Sequence, residues 1–345
     1  MESIYYVMSW ACHRRCKHCY EERFRPYDSE EMKGVLAEAV ANFPRIVDSF
    51  PDTMLYRDRA DGGATKTGRV ILSGGESLLD PIRENVTYKV IERLRDKYKD
   101  RGGVKIVVQT TGDLVTPGIV DDLLARGVWM ISCAGLDDFH VNIKAEKLKA
   151  ELTALFESRG MTQSGLATQN RKWLDEKGPV FSFFGATPDT WIGKIWPRGR
   201  AWANDLSHAT LADDFCARWS GGLDFLRHGE SGAEVSVEPD GSVFPCCLKT
   251  KLPIGNLLED GLVDILESLK GDPAFEAISA GDPRRMGLAD GWTAEKFEAA
   301  SRTKTVSGRD YANLCIGCDR FFEEKMGARI EAARLRRRAA RAAAQ

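Results

Sequence analysis

Three cysteines near the start of the chain have the type and spacing for chemistry. Cys12, Cys16 and Cys19 stand in Cys12-His13-Arg14-Arg15-Cys16-Lys17-His18-Cys19-Tyr20, directly after the apolar run Ile4–Met8. A strand feeding a loop of three thiolates is a place to hold an iron–sulfur cluster or zinc. A [4Fe–4S] cluster has four irons, so three cysteines leave one iron open to another ligand. A zinc ion needs a fourth protein donor, and His13 or His18 offers one. A second set comes much later: Cys216, then Cys246 at the end of Gly241-Ser-Val-Phe-Pro-Cys246, then Cys315-Ile-Gly-Cys318. Four cysteines from three segments can converge on one cluster, or on one zinc.

These residues must be positioned by a chain of 345 residues with 43% hydrophobic content and a formal charge of −2. That length suits one large domain or two smaller ones. The balanced charge gives no argument for a nucleic-acid partner. No apolar run reaches the ~18 residues of a membrane span, and the start lacks the basic and apolar segments of a secretion signal. Nine cysteines without such a signal point to a reducing, cytoplasmic setting and to metal binding rather than disulfides.

The elements follow from pattern. Asp28 or Ser29 caps a helix running to about Phe43. The polar stretch Asp48–Gly68 reads as a long loop. Arg69–Leu72 is a buried strand ending in Ser73-Gly74-Gly75-Glu76, followed by a helix from Pro81 to about Lys99. Strands at Val104–Gln109, Val128–Ser132 and Val180–Phe184 alternate with helices at Thr116–Ala125 and Lys144–Ser158. Strands alternating with crossover helices predict a parallel sheet, with ligands bound at the strand C-terminal ends. Past Asn204 the composition changes. A hairpin is expected around Pro239-Asp240-Gly241, then helices at Leu257–Leu269 and Ala294–Ala300. The Arg- and Ala-rich end, Arg320–Gln345, reads as a solvated terminal helix, or as a contact for an anionic partner.

The spacing of Cys12, Cys16 and Cys19 resembles the CX3CX2C loop of the radical S-adenosylmethionine (SAM) enzymes. Ser73-Gly74-Gly75-Glu76 resembles the GGE turn of the same family. Gln109-Thr110-Thr111-Gly112, Ser132-Cys133-Ala134-Gly135 and Pro197-Arg198-Gly199-Arg200-Ala201 are similar to further motifs of the family. The order Cys216, Cys246, Cys315, Cys318 resembles the twitch domain, the shortened relative of the SPASM domain. The resemblance implies an α/β fold: a partial (β/α)6 TIM-like barrel over 1–205, then a small α+β cluster domain over 206–325. A basic helix over 326–345 ends the chain. It also implies two [4Fe–4S] clusters. Cys12, Cys16 and Cys19 would ligate the SAM-binding cluster, and Cys216, Cys246, Cys315 and Cys318 the auxiliary one. SAM contacts would fall to His18, Tyr20, Gly74, Gly75, Glu76, Thr111, Ser132 and Arg200. Glu76 and the glycine backbone would take the amino group, and Arg200 the carboxylate.

The activity so implied is reductive cleavage of SAM to a 5′-deoxyadenosyl radical, which takes hydrogen from a small metabolite or a peptide. A reductant such as flavodoxin or ferredoxin supplies the electron. A fully ligated auxiliary cluster favours electron transfer and a net oxidation. A redox-neutral epimerisation is the alternative, with Cys133 or Cys247 as hydrogen donor. A non-catalytic metal-binding regulatory protein is a third reading. Asp137, Asp138 and His140 are candidates for substrate contact or acid–base work. Trp191, Trp196 and Trp202 either line a cavity or pack in the core. The first cluster loop begins at residue 12, leaving no room ahead of it for a leader-peptide-binding domain. That tilts the expected substrate toward a small metabolite, or a peptide delivered by a separate protein.

Overall fold

A nine-stranded, mostly parallel sheet carries the cysteine loops. The computed structural model describes residues 1–134, 139–140, 144–164, 175–185, 195–218 and 224–344. In chain order the strands are β1 (Ser3–Val7), β2 (Arg69–Ser73), β3 (Lys105–Thr110), β4 (Met130–Cys133), β5 (Thr162–Gln163), β6 (Val180–Phe183), β7 (Glu234–Val237), β8 (Ser242–Phe244) and β9 (Gly255–Asn256). They lie in the order β9-β8-β7-β1-β2-β3-β4-β6-β5. The pairs from β7 through β1 to β5 are parallel. Only the pairs β7–β8 and β8–β9 are antiparallel, so β8 alone runs against the rest.

The crossover helices cover one face. These are α1 (Ser29–Asp48), α2 (Tyr88–Tyr98), α3 (Pro117–Ala125) and α4 (Ala145–Ser158). The Asp28 carboxylate caps α1 by accepting from the main-chain N–H groups of Glu30 and Glu31, as its place before the apolar pattern predicts. The Thr116 hydroxyl caps α3. Side chains alternate across a strand. Ile4, Tyr6, Val70, Leu72, Ile106, Val108, Ile131, Cys133 and Phe181 therefore pack with the helices in one core. Tyr5, Ile71, Val107, Met130 and Val180 gather on the opposite face. Every core side chain of this size withdrawn from water contributes about 1.5–3 kcal/mol.

The structure departs from the sequence-based expectations in three places. Asp48–Gly68 is not a bare loop, because Leu55–Asp58 and Ala64–Thr67 pair as a hairpin around the Gly62-Gly63 turn. The expected C-terminal hairpin forms as β7 and β8. However, β7 pairs in parallel with β1, so the sheet continues past residue 205 rather than ending there. The C-terminal helix, α6 here (Gly327–Ala344), is exposed over most of its length, as expected, but several of its arginines pair with the chain's own carboxylates and are not free for an anionic partner. Arg337 pairs with Asp260 at 2.7 Å with both side chains buried. Arg334 forks onto Glu259, and Arg329 bridges Asp272 and Asp290. No helix among the described residues is long and apolar enough to cross a membrane.

Candidate metal centres

The first cysteine loop hangs from the C-terminal end of β1 and is latched to the turn after β2. Gly75 N–H donates to the Ser9 carbonyl at 3.1 Å, and Glu76 N–H to the Ala11 carbonyl at 2.8 Å. The fit leaves no room for a side chain. A Cβ on Gly75 would run into the Ala11 carbonyl and come within 2.8 Å of Cys12 Cβ. The Gly-Gly pair is therefore required by the approach of the cysteine loop itself.

Glu76 is buried and saturated. One carboxylate oxygen accepts from Thr110 Oγ1 at 2.8 Å and Leu78 N–H at 2.9 Å; the other accepts from Thr111 N–H at 2.8 Å and Thr111 Oγ1 at 2.7 Å. A carboxylate has about four acceptor positions, and all are taken. The expectation that Glu76 itself receives the SAM amino group is corrected accordingly. Glu76 braces the β3 end. Thr111 is likewise committed, donating to Glu76 and touching Asp113. Asp113 reaches back to the loop, meeting His13 at 2.8 Å and also Arg14. Burial alone would raise the Asp113 carboxyl, but His13, Thr111 and Arg14 outweigh it and hold it well below the usual carboxylate range. The sequence reading gave Asp113 no role.

Arg200 also differs from expectation. Its guanidinium donates to three loop carbonyls, those of Cys16 (2.9 Å), Glu22 (2.8 Å) and Phe24 (2.7 Å). It clamps the loop rather than offering a fork to a carboxylate. Ala201 N–H adds a bond to the Cys19 carbonyl at 3.1 Å. Gly199, with φ +51°, passes so close to Tyr20 that a Cβ would strike its main chain. Tyr20 turns toward the C-terminal half: its ring stands edge-on to Trp196 at 5.3 Å, and its hydroxyl lies 3.4 Å from that of Tyr5.

The three thiols Cys12, Cys16 and Cys19 sit within electrostatic reach of one another. Burial pushes the Cys12 thiol up to about 12, so the pocket favours thiolates only when a cation shares it. His13 is engaged by Asp113. His18 packs against Phe139 (5.3 Å) and His140 (4.7 Å). Two residues singled out from sequence, His18 and His140, are thus neighbours beside the loop. Among the described residues no three His, Cys, Asp or Glu side chains converge on one ion position. A cubane differs, since each of its cysteines binds a separate iron.

The second centre assembles from distant segments, as expected. Cys216 lies within electrostatic reach of Cys315, Cys246 and Cys318. Cys315 and Cys318 lie on α5 (Leu314–Phe321), capped by Asn313. Cys246 follows β8. All four are free thiols, and burial raises each of them. Two features of the surroundings fit a metal–sulfide core. Arg198 is placed among Cys246, Cys315 and Cys318, paired to Asp319 at 2.9 Å and donating to the Leu248 carbonyl. The buried indole N–H of Trp196, packed with Cys246, Cys247 and Cys315, has no acceptor among the described residues.

A charge cluster joins the two centres. Arg23 forks onto Glu21 at 2.9 and 2.8 Å and reaches Glu238 at 3.0 Å. Lys249, two residues beyond Cys247, contacts both carboxylates. Trp10 lies beneath, with Arg23 Cζ 3.6 Å from its ring centre. Burial would raise the Glu21 carboxyl, yet Arg23 and Lys249 hold it down at about 2. Nothing in the local sequence marks these charges, because their partners lie far along the chain.

The two spare cysteines separate. Cys133 is fully buried in the core beneath the helices. Its neighbour Ser132 faces the other way and bonds Ser182 at 2.8 Å. Cys133 as hydrogen donor on the ligand face is therefore corrected, because strand alternation turns it outward. Ser132 does occupy that face. Cys247 belongs to the buried group with Trp196, against which Tyr5 and Tyr20 pack, and it lies within electrostatic reach of both tyrosines. Trp202 packs on Tyr311 at 4.9 Å. Asp137, Asp138 and Trp191 lie outside the described residues.

Residues 231–272, which include Cys246, match the SPASM family, an iron-sulfur cluster-binding domain. This agrees with the sequence reading of a SPASM-like auxiliary cluster domain in the C-terminal half. No curated protein sequence matches the chain. Among solved structures it is similar to BtrN in complex with AdoMet and 2-DOIA, at 13% identity and TM-score 0.46, covering 81% of this chain and 88% of that one. It is similar to anSMEcpe with bound AdoMet, at 15% identity and TM-score 0.43, covering 96% and 95%. Streptococcus suis SuiB bound to precursor peptide SuiA matches at 12% identity and TM-score 0.41, covering 81% and 66%.

Proposed function

We propose that the chain is a radical SAM enzyme with an auxiliary [4Fe–4S] cluster. The observation that carries this reading is the latch between the Cys12–Cys19 loop and the Gly74-Gly75 turn. It sets three thiols beside glycine carbonyls that can receive an ammonium. When bound, the cluster supplies the electron that cleaves SAM reductively to a 5′-deoxyadenosyl radical. The chain's own residues hold and orient. Arg200 and Asp113 fix the loop from two sides, Glu76 fixes the β3 end, and His18 with His140 flanks the loop where an adenine could stack. Ser132 is the sugar contact on the same sheet face. A flavodoxin- or ferredoxin-like reductant delivers the electron.

Anaerobic reconstitution tests the reading. Reduced protein with SAM should yield 5′-deoxyadenosine and methionine, and iron and sulfide should approach about eight each per chain.

The reaction on substrate is proposed as an oxidation of a small metabolite or peptide, with the fully ligated second cluster taking the surplus electron. A redox-neutral transfer is favoured by one observation, the position of Cys247 against Tyr5 and Tyr20. Cys247→Ala separates the two. Under oxidation, turnover continues; under the redox-neutral reading, SAM cleavage continues while product stops. Cys133→Ala should leave product formation intact under both.

A further inference from the structure

Trp196 carries a buried N–H with no acceptor among the described residues. A buried donor left unpaired is costly, so its place calls for a partner. The indole packs in one buried group with Cys246, Cys247, Leu248, Cys315 and Phe215. Phe215 adjoins Cys216, and its ring centre lies 6.5 Å from that of Trp196. Two of the four proposed ligands, Cys246 and Cys315, and the chain neighbour of a third thus share the indole's buried group. The nearby cation is largely engaged elsewhere. Arg198 spends its guanidinium on Asp319, the Leu248 carbonyl and the Pro197 carbonyl.

We propose that Trp196 donates an N–H···S hydrogen bond to the auxiliary cluster or one of its cysteine sulfurs and thereby sets the cluster's redox potential. The proposal rests on the quartet reading above. Reducing a [4Fe–4S] cluster adds negative charge to its sulfurs, and a donor aimed at a sulfur stabilises the reduced form and raises the potential. The same short segment serves both centres. Trp196 packs in one buried group with Cys246 and Cys315, while Gly199, Arg200 and Ala201 seat the SAM-cluster loop. The indole also stands edge-on to Tyr20, the residue after Cys19, at 5.3 Å. Trp196 is a positioning and tuning residue, with no contact to the reacting carbon.

The test is a redox titration of the reconstituted holoprotein followed by electron paramagnetic resonance. Trp196→Phe keeps an aromatic ring and removes the donor. It should shift the oxidised-to-reduced ratio of the auxiliary cluster about tenfold toward oxidised at a fixed potential, which is ~59 mV for one electron. The SAM cluster should titrate as before. Trp129→Phe, which removes an indole bonded to the Glu176 carbonyl, should shift neither cluster. A second measurement needs no variant. With tryptophan isotopically labelled at the indole nitrogen, the reduced auxiliary cluster of the unaltered protein should show a hyperfine coupling to one such nitrogen. Iron near eight per chain with an unchanged potential and no coupling overturns the Trp196 role alone. Iron near four in the unaltered protein removes the auxiliary cluster and this proposal together.

Discussion

The two cysteine centres are built in opposite ways. Cys12, Cys16 and Cys19 lie on one short loop. It is seated by main-chain bonds from the turn after β2, the strand adjacent to β1. Cys16 and Cys19 remain partly exposed, as a site that admits a small molecule requires. Cys216, Cys246, Cys315 and Cys318 come from three segments and meet only after the chain has folded. Three of them are buried, and the cation beside them, Arg198, is already paired. An open, locally encoded site suits chemistry on a bound ligand. A closed, globally assembled site suits holding an electron.

That contrast can be broken by variants. The largest expected effect is from Cys246→Ala with Cys315→Ala. Iron should fall to about four per chain and product formation should be lost, while 5′-deoxyadenosine still forms. Loss of SAM cleavage in that variant would show that the centres are not separable. Next comes Arg337→Ala with Arg341→Ala, which removes both ion-pair partners of the buried Asp260. Leaving a buried charge without its partner costs about 3–5 kcal/mol, read as a large fall in Tm by calorimetry. Auxiliary iron should be lost on heating before SAM-cluster iron.

Gly75→Ala acts on the other centre. The added methyl meets the Ala11 carbonyl, and overpacking of this kind costs about 1–3 kcal/mol. SAM cleavage should fall, with the auxiliary cluster's spectrum unchanged. The smallest effect concerns the junction. Glu21 is held at about 2 against an ordinary value of 4.5. A depressed carboxyl stabilises the fold above its unfolded value and loses that contribution as pH falls through its folded one. Stability measured by denaturant should therefore drop between about pH 4.5 and 2. Glu21→Gln should flatten part of that slope.

Much of this was legible in the sequence, for identifiable reasons. The strand–helix alternation is a local pattern, and Asp28 and Thr116 announce their helices by type and position. Both cysteine sets stand out because thiols are few and their spacing is chemical. The orientation of Cys133 was not legible. β4 is buried on both faces, so Met130-Ile131-Ser132-Cys133 shows no polar alternation to read. The pairing of β7 with β1 was hidden too, since it joins segments that share no local signal. Arg200 was assigned by motif, yet whether a guanidinium meets a ligand or three carbonyls is decided by where the loop folds. Lys249, Arg23, Glu21 and Glu238 read as ordinary surface charges until the fold brings them together.

The central claim is that the Cys12–Cys19 loop holds a cluster that cleaves SAM. The direct measurement is 5′-deoxyadenosine release by anaerobically reconstituted, reduced protein, compared with its Cys12→Ala/Cys16→Ala/Cys19→Ala form. The account predicts release by the first and none by the second, which keeps only the auxiliary iron. Equal release from both, or none from the unaltered protein carrying both clusters, would contradict it.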